Sequence, residues 1–377
     1  MDQILSNIQL LLAFPIINLD IVINGLMVGA LFALAAYGLA LVWGVMNIKN
    51  LAQGDFVITG GYICWWLAQH GVDPFIGIAV AFVLMALLGG ILHGTGIQKW
   101  SARQGVAMAV VSMVMIVTIV IGADAGKGIE SALLGVSMPL GMTGNQVAAM
   151  AGAILGLVVI ANGGIYNLII ARVIERDLFT SLLATFGLAI MMAQLLNLMF
   201  GSDTQSVDLG YDSIQLDDSG IINVPISKLV GVLIAAVLAI SVILFMKNSR
   251  MGQAIRATAQ DARAARVMGI DTEKVYAFTF ALNSAICGAA GAIIVMAWVI
   301  QPFYGITYSV RAFVIVTAAG LGNMVGVIAA GLGIGTAEQY GSHIFGIGYQ
   351  QAIAVLLLLF VLLFRLMQQR RQRQVLQ

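Results

Sequence analysis

Polar side chains interrupt the long apolar stretches of this sequence at a small number of positions. A polar side chain is costly inside a membrane, so it usually lines a solute or ion pathway or forms hydrogen bonds between helices. For any single position, a hydrogen bond between helices or a place at the end of a span is the commoner role. The candidates for a pathway are Asn24, Asn47, Gln53, Asp55, Thr185, Gln194, Asn197, Asn283, Arg311, Asn323 and Glu338.

Arg311 is the most informative of these residues by charge, because it lies near the start of an apolar stretch that glycines interrupt. A guanidinium can bind a carboxylate through two parallel hydrogen bonds, which suits a solute that carries a carboxylate. An arginine at a membrane interface can equally extend its charged end toward water and have no solute role. The sequence leaves both interpretations open.

Nucleotide and metal sites are not evident in the sequence. Residues 122–127 imitate a phosphate-binding loop, but the spacing is one residue short and Gly128 stands where a Ser or Thr would hold Mg²⁺. The three histidines show no metal-ligand spacing, and the two cysteines are interpreted as small buried hydrophobic residues. We therefore expect no cofactor in this chain and no catalytic role.

Residues 250–269 form a polar stretch that is rich in Ala and Arg and too charged to cross a membrane. Ala and Arg favour helix, and Gly269 is placed like the glycine that ends a helix. The stretch is predicted to form one or two short amphipathic helices on the cytoplasmic face. It can rest on anionic lipid headgroups or dock a cytoplasmic protein, and composition alone does not favour either.

Composition determines the kind of element that must position these residues. Hydrophobic residues make up 60% of the 377 residues, and Asp, Glu, Lys and Arg only 9%, against about 25% charged residues in a soluble domain. Only α-helices and closed barrels satisfy every backbone group in lipid, and runs such as 76–92 lack the alternation of barrel strands. The predicted fold class is all-α, a polytopic transmembrane helical bundle of about nine to eleven spans with one broken or re-entrant segment.

The broken segment is residues 308–340, which are apolar but contain several glycines. It is predicted to fold at Gly320, Gly322 and Asn323, either as two short half-helices or as a re-entrant hairpin. Non-helical backbone at membrane depth must be buried in protein or line a cavity, so these three residues join the pathway candidates. The other predicted spans are residues 21–43, 54–67, 75–97, 106–122, 147–170, 179–200, 229–246, 275–299 and 351–364.

Lys and Arg are concentrated in loops that alternate along the predicted spans. Basic loops stay in the cytoplasm, which places residues 247–274, the loop at 172–176 and the C-terminal tail inside. The loop at 201–227 contains no Lys or Arg and is placed outside. This assignment is consistent throughout if the N-terminus lies outside and the C-terminus lies in the cytoplasm.

Several segments together resemble the permease subunits of branched-chain amino-acid ABC importers. Residues 256–270, followed by 274–282, are similar to the loop that docks on the ATPase subunit in that family. Gln53 departs from the family pattern, which often has His there, and Ala319 replaces a usual Gly. The resemblance covers about three quarters of the chain in the family's order, and its other segments are residues 24–34, 47–56, 180–188, 320–326 and 331–338.

This resemblance implies a permease subunit that forms the translocation pathway for branched-chain or other hydrophobic amino acids, or for amides or urea. The implied partners are cytoplasmic ATPase subunits, a second permease that is homologous or identical, a periplasmic binding protein that delivers the solute, and membrane lipid. No nucleic acid partner is expected. The residues implied to couple to the ATPase lie in a loop at 247–274 and are Gly252, Arg256, Ala257, Asp261, Ala264, Ala265 and Gly269.

The whole chain, residues 1–377, is predicted to be a single transmembrane permease domain. Members of the family are usually shorter, and the surplus is placed at 98–166 as an insertion with two extra spans. The alternative function is an ion-coupled secondary transporter, which often buries a carboxylate near the membrane midplane. Asp and Glu are expected mainly in loops or at span ends here, which disfavours it. A membrane-embedded enzyme is disfavoured because clustered His and paired acids are not evident.

Overall fold

The computed structural model describes residues 2–47, 49–92, 178–210, 213–215, 223–320, 322–346 and 349–375. The helical bundle predicted from composition is confirmed, with a short hairpin in the loop at 201–227 that was not predicted. The helices are α1 (Asp2–Ala13), α2 (Pro15–Met46), α3 (Gln53–Gln69), α4 (Pro74–Leu92), α5 (Leu178–Phe200), α6 (Ile226–Asn248), α7 (Arg250–Gln260), α8 (Ala262–Val267), α9 (Thr272–Ala297), α10 (Gly305–Ala319), α11 (Met324–Phe345) and α12 (Gln350–Val375), and the antiparallel strands are β1 (Ser213–Gln215) and β2 (Asn223–Pro225).

Three helices in the described part of the chain, α2, α6 and α9, are long and apolar enough to cross a membrane. Shorter apolar stretches occur in α4, α5 and α12. These helices lie where the sequence predicted spans. The predicted spans at 106–122 and 147–170, and the insertion at 98–166, lie outside the described residues, so the total of nine to eleven spans stays a prediction.

α2 and α9 form the centre of the bundle. Every residue from Leu31 to Val42 in α2 is buried, on all sides of the helix, as expected of a helix surrounded by other helices. α6 instead buries one stripe at four-residue spacing, which includes Gly231, Ala235 and Ala239. Its other face exposes large apolar side chains such as Val237, and such a face is suited to lipid.

Close contact between α2 and α11 depends on glycines spaced four residues apart on both helices. A side-chain carbon added at Gly25 would lie 2.6 Å from Cα of Thr336, and one added at Gly29 would lie 2.8 Å from Cα of Leu332. Gly331 and Gly335 face Gly29 from α11. Small residues at this spacing let two helix backbones approach closely in a membrane, which positions the polar side chains that the two helices carry.

The broken segment consists of two helices of unequal length, α10 and α11, joined at Gly320, Gly322 and Asn323. Both glycines have positive φ, 89° and 80°, and Oδ1 of Asn323 accepts a hydrogen bond of 2.9 Å from N of Gly326 at the start of α11. The 22 residues of α11 extend about 33 Å, enough to cross a hydrocarbon core of about 30 Å. The segment is therefore broken at the predicted residues, and the choice between two short half-helices and a re-entrant hairpin stays a prediction.

Candidate functional site

The predicted coupling segment folds as two short helices, α7 and α8, that return onto the end of α6. Gly252 allows the return, because a side-chain carbon there would lie 2.7 Å from Cα of Met246. The Arg256 guanidinium donates a hydrogen bond to the Met246 carbonyl. α7 buries Gly252, Ile255 and Thr258, and Ala257 is half-buried. This side of α7 therefore attaches the segment to the bundle.

α8 ends in the backbone arrangement that its glycine predicted. Gly269 has φ of 85° and donates a backbone hydrogen bond of 3.0 Å to Arg266 O, while Ile270 N donates one of 3.0 Å to Ala265 O. This pair of bonds is a Schellman motif, which usually needs a glycine at the left-handed position. The direction of the chain after α8 is thus fixed by Gly269.

The outer face of α8 is apolar and exposed. Val267 and Met268 are 87% and 81% exposed, and Ala264 lies exposed on the same face, because residues three and four apart are neighbours on a helix. Ala265 is buried under α8. Of the predicted coupling residues, Ala264 thus faces outward, whereas Ala265 positions the helix. The sequence interpretation missed Val267 and Met268, although two apolar residues before a helix-ending glycine in a basic loop are a usable signal.

Asp261 caps the N-terminus of α8. Its Oδ1 accepts hydrogen bonds of 2.8 Å from Arg263 N and 3.0 Å from Ala264 N. These bonds to the charged carboxylate lower the pKa of Asp261, with a smaller contribution from the charge of Arg263. A lowered folded-state pKa means that the stabilisation is complete above the ordinary aspartate pKa, about 3.9, and is lost as the pH falls through the folded-state pKa.

We expect Asp261→Ala to increase amide hydrogen exchange at residues 262–267, because two backbone donors lose their acceptor. Asp261→Asn keeps a capping oxygen and should retain most of the protection. In the unmodified chain, protection corrected for intrinsic exchange should be constant at neutral pH and decrease only below about pH 4. Equal exchange in the aspartate and alanine proteins would show that the cap does not hold α8.

A buried ion pair joins α10 to α11. Nε of Arg311 donates a hydrogen bond of 3.3 Å to Oε1 of Glu338 and lies 3.2 Å from Oε2. The residues are 7% and 1% exposed. Among the described residues, Oε2 accepts no hydrogen bond, in spite of its short distance to Nε. The sequence predicted that Arg311 binds a solute carboxylate or extends toward water. It did not predict that Arg311 pairs with Glu338.

Aromatic rings cover the arginine of this pair. The guanidinium carbon of Arg311 lies 4.6 Å from the ring centre of Phe32. Tyr308 and Trp298 pack against Phe32 with ring centres 5.5 Å and 6.3 Å away. Lys228 Nζ lies 4.9 Å from the ring centre of Trp298. The sequence interpretation did not select these rings, because an aromatic residue in an apolar span gives no signal of what it packs against.

A second polar cluster lies where α3 meets α2 and α9. Nε2 of Gln53 donates to Ala35 O at 2.9 Å and lies 2.8 Å from Sγ of Cys287, and Asn283 Oδ1 is 3.6 Å from the same sulfur. Among the described residues, Oε1 of Gln53 and Nδ2 of Asn283 have no hydrogen-bond partner. Gln53 is thus a buried link between three helices.

The segment between α2 and α3 is attached to α5 and α10. Thr185 Oγ1 accepts a hydrogen bond of 3.1 Å from Leu51 N. Ser309 Oγ accepts one of 2.8 Å from Gly54 N and donates one of 2.7 Å to Leu51 O. Asp55 is 2% exposed next to Gly305. The structure brings Gln53, Asp55 and Thr185 to this segment, and it adds Ser309, which the sequence did not single out.

Several other pathway candidates have structural partners of their own. Asn24 donates to O and Oδ1 of Asp20 in the same helix at 3.2 Å and 2.9 Å. Asn47 ends α2 in the left-handed conformation, with φ of 53°. Asn323 caps α11 and is exposed.

The expectation that Asp and Glu lie mainly in loops or at span ends is wrong for Glu338, whereas Asp55 lies at a span end as expected but is buried there. Glu338 is enclosed within α11, and Asp55 is enclosed in the first turn of α3. Glu338 is neutralised by Arg311 in a way that depends on tertiary packing, and Asp55 lies beside the helix start at Gly305, so neither burial is visible in the sequence. Among the described residues, no group of three or more His, Cys, Asp or Glu is arranged to hold a metal ion.

Comparison with known proteins decides the family. The model of the permease component of the branched-chain amino acid transport system matches residues 131–365, which is more than half of the chain. The chain belongs to this permease family. No solved structure shows significant similarity to the chain.

Relatives in bacteria and an archaeon match this permease along nearly all of its length. The branched-chain amino acid transport permease BraD of Pseudomonas aeruginosa is 26% identical over 345 residues, 91% of this chain and 92% of BraD. LivH of Escherichia coli is 26% identical over 351 residues, 90% of this chain and 91% of LivH. A probable LivH of Methanocaldococcus jannaschii is 25% identical over 341 residues, 88% of this chain and 86% of that protein.

Membership in the permease family confirms the predicted recognition and the role as a permease subunit that forms a translocation pathway. The subunit is a non-catalytic, multi-pass inner-membrane protein of an importer whose ATP hydrolysis takes place on other subunits. The family match begins within residues 98–166, and the predicted insertion there stays a prediction.

Proposed function

We propose that this permease carries branched-chain amino acids across the inner membrane in an importer with cytoplasmic ATPase subunits, a second permease and a periplasmic binding protein. Family membership supports the class of importer. The observation that carries the proposal is α8, a short helix with an exposed apolar face on the most basic loop. The N-terminus outside and the C-terminus in the cytoplasm complete the proposed arrangement.

The α8 face, defined as Ala264, Val267 and Met268, is proposed to dock in the ATPase subunit. The face is small and apolar, as expected of an anchor that fills a pocket in a partner. It is held from behind by the buried Ala265, the Asp261 cap and the Gly269 motif. Because α8 is held rigidly in this way, a movement of the ATPase would be transmitted to α9, which begins at Thr272 directly after the segment.

The ATPase-docking proposal is favoured over a loop that only rests on lipid. Lipid headgroups attract basic side chains. Val267 and Met268 are instead apolar, and they are exposed in a loop that lies outside the membrane-spanning helices of the predicted topology. The loop is attached to the cytoplasmic end of α6 and lies on the basic side of the predicted topology. An apolar surface in that position is suited to a protein pocket.

Reconstitution tests the proposed function. We expect L-leucine uptake into vesicles that contain the complete importer to require ATP on the ATPase side and the loaded binding protein on the other side. Uptake should persist when ionophores remove proton and sodium gradients. Uptake by this chain without ATPase subunits, driven by an ion gradient, would instead establish the ion-coupled transporter and refute the importer. Vesicles without this chain are the control for leakage.

A further inference from the structure

The Arg311–Glu338 pair requires an explanation beyond stability. Replacing a buried ion pair with apolar side chains of similar volume is often neutral or stabilising, so burial of two charges is weak evidence for a structural role. α10 and α11 are already joined by the turn at Gly320, Gly322 and Asn323. Charged side chains enclosed in a membrane bundle commonly mark a solute or ion pathway.

The guanidinium of Arg311 has a free side in this arrangement. Its Nε edge contacts Glu338, and Phe32 covers one face of the group. Among the described residues, neither Nη1 nor Nη2 makes a hydrogen bond. The two Nη atoms are donors that can bind the two oxygens of a carboxylate in parallel. The arginine thus retains a carboxylate-binding fork although it is paired.

Glu338 supplies the opposite charge. Its Oε2 is buried and accepts no hydrogen bond from the described residues. A buried carboxylate oxygen without a hydrogen bond is unfavourable, and an ammonium group is a donor that would satisfy it. The pair therefore presents an anion-binding fork and an ammonium acceptor side by side.

An apolar wall completes the arrangement. Phe32 and Tyr308 are 6% and 7% exposed, and the half-buried Trp298 stacks on Phe32. Aliphatic surface buried against such rings contributes favourable free energy in proportion to its area. Two opposite charges beside aromatic rings match an α-amino acid with an apolar side chain.

We propose that Arg311 and Glu338 bind the charged groups of a zwitterionic apolar amino acid as it crosses this permease. The α-carboxylate binds Nη1 and Nη2 of Arg311, the α-ammonium donates to Oε2 of Glu338, and the side chain lies on Phe32, Tyr308 and Trp298. This site rests on the proposed function, because it concerns the solute of that importer.

The site also selects against solutes with one charge. Without solute, the two side chains neutralise each other, and a zwitterion keeps the site neutral because it adds one charge of each sign. A monocarboxylate would leave a net negative charge buried in the site, and an amine would leave a net positive charge, which is strongly unfavourable. Rejection of a solute that lacks one group is the pattern expected of a site with buried polar groups.

Thermal shift of the assembled importer without its binding protein tests the site directly. L-leucine at millimolar concentration should raise the melting temperature by about 2 °C. Leucinamide lacks the carboxylate and 4-methylpentanoate lacks the ammonium, so neither should stabilise the complex. An equal shift with either analogue, or no shift with L-leucine, would overturn the two-charge site without any mutation.

The double variant Arg311→Met with Glu338→Leu separates solute binding from a purely structural pair. It removes both charges together, so we expect assembly and melting temperature close to the parent. The shift with L-leucine should disappear and uptake should fall at least about tenfold. If the double variant keeps the uptake and the L-leucine shift of the parent, the pair only holds α10 against α11.

Arg311→Lys is the second variant, and it keeps the charge but removes the fork. It should reduce the L-leucine shift. Lys228→Gln, which changes a cation over the ring of Trp298 and not one of the pair, should leave the shift in place. A full shift with lysine at position 311 would contradict bidentate binding. If the parent importer transports leucine but its melting temperature does not shift, the two-charge site is refuted and the proposed function stands. If the parent transports no branched-chain amino acid, the proposed function itself is refuted.

Discussion

Replacing Val267 and Met268 together with glutamate is expected to reduce ATP-driven leucine uptake by about 700-fold. Each residue is proposed to fill part of the ATPase pocket, and central apolar anchors of an interface contribute about 2 kcal/mol or more each when removed, with every 1.4 kcal/mol worth about tenfold in binding. Both side chains are more than four-fifths exposed, so the fold of the permease should not change. Uptake and co-purification of the ATPase subunit are the measurements.

Gln253→Glu with Gln260→Glu is the matched control for added charge. Both glutamines are exposed on α7, so this variant adds the same two negative charges to the same loop without changing the α8 face. It should keep most of the uptake and the bound ATPase. If the Val267 and Met268 variant still bound the ATPase and transported leucine normally, the α8 face would not be the docking surface.

The local structure of the coupling segment could be predicted from the sequence because short-range chemistry determines it. Gly269 is the residue that a Schellman motif needs, and Asp261 is a preferred helix cap. Both act through backbone groups within five residues. The exposure of Val267 and Met268 could not be predicted in the same way, because it depends on which face of α8 the bundle covers, and that is determined by Ala265 beneath it.

The polar interior was only partly predictable. The cost of polar groups in apolar spans selected Gln53, Arg311 and Glu338 as pathway candidates, and the structure buries all three side chains. Their partners lie far away in the chain: Gln53 contacts Cys287, 234 positions later, and Arg311 contacts Glu338, 27 positions later. Such pairs follow from the packing of α3 on α9 and of α10 on α11, which one sequence does not specify.

Packing of α2 on α11 leads to the prediction with the largest expected effect on stability. Gly335→Leu should lower the melting temperature of the purified chain by about 5 °C or more, and folded protein should become scarce in the membrane. A side-chain carbon at position 335 would lie 2.6 Å from Gly25 O and overlap the backbone of Gly29. Only backbone separation can relieve these contacts, at a cost of at least about 3 kcal/mol.

Gly333→Leu is the control on the same helix, because a side-chain carbon there meets nothing within 4 Å among the described residues. It adds the same side chain to α11 at an exposed position and should change the free energy of unfolding by less than about 0.5 kcal/mol. Unfolding can be followed by thiol labelling, since Cys64 and Cys287 are both free and buried. Equal labelling curves for the two variants would mean that α2 and α11 are not held in close contact. That result would also separate α11, which carries Glu338, from α2, which carries Phe32, and the solute site would lose its geometric basis.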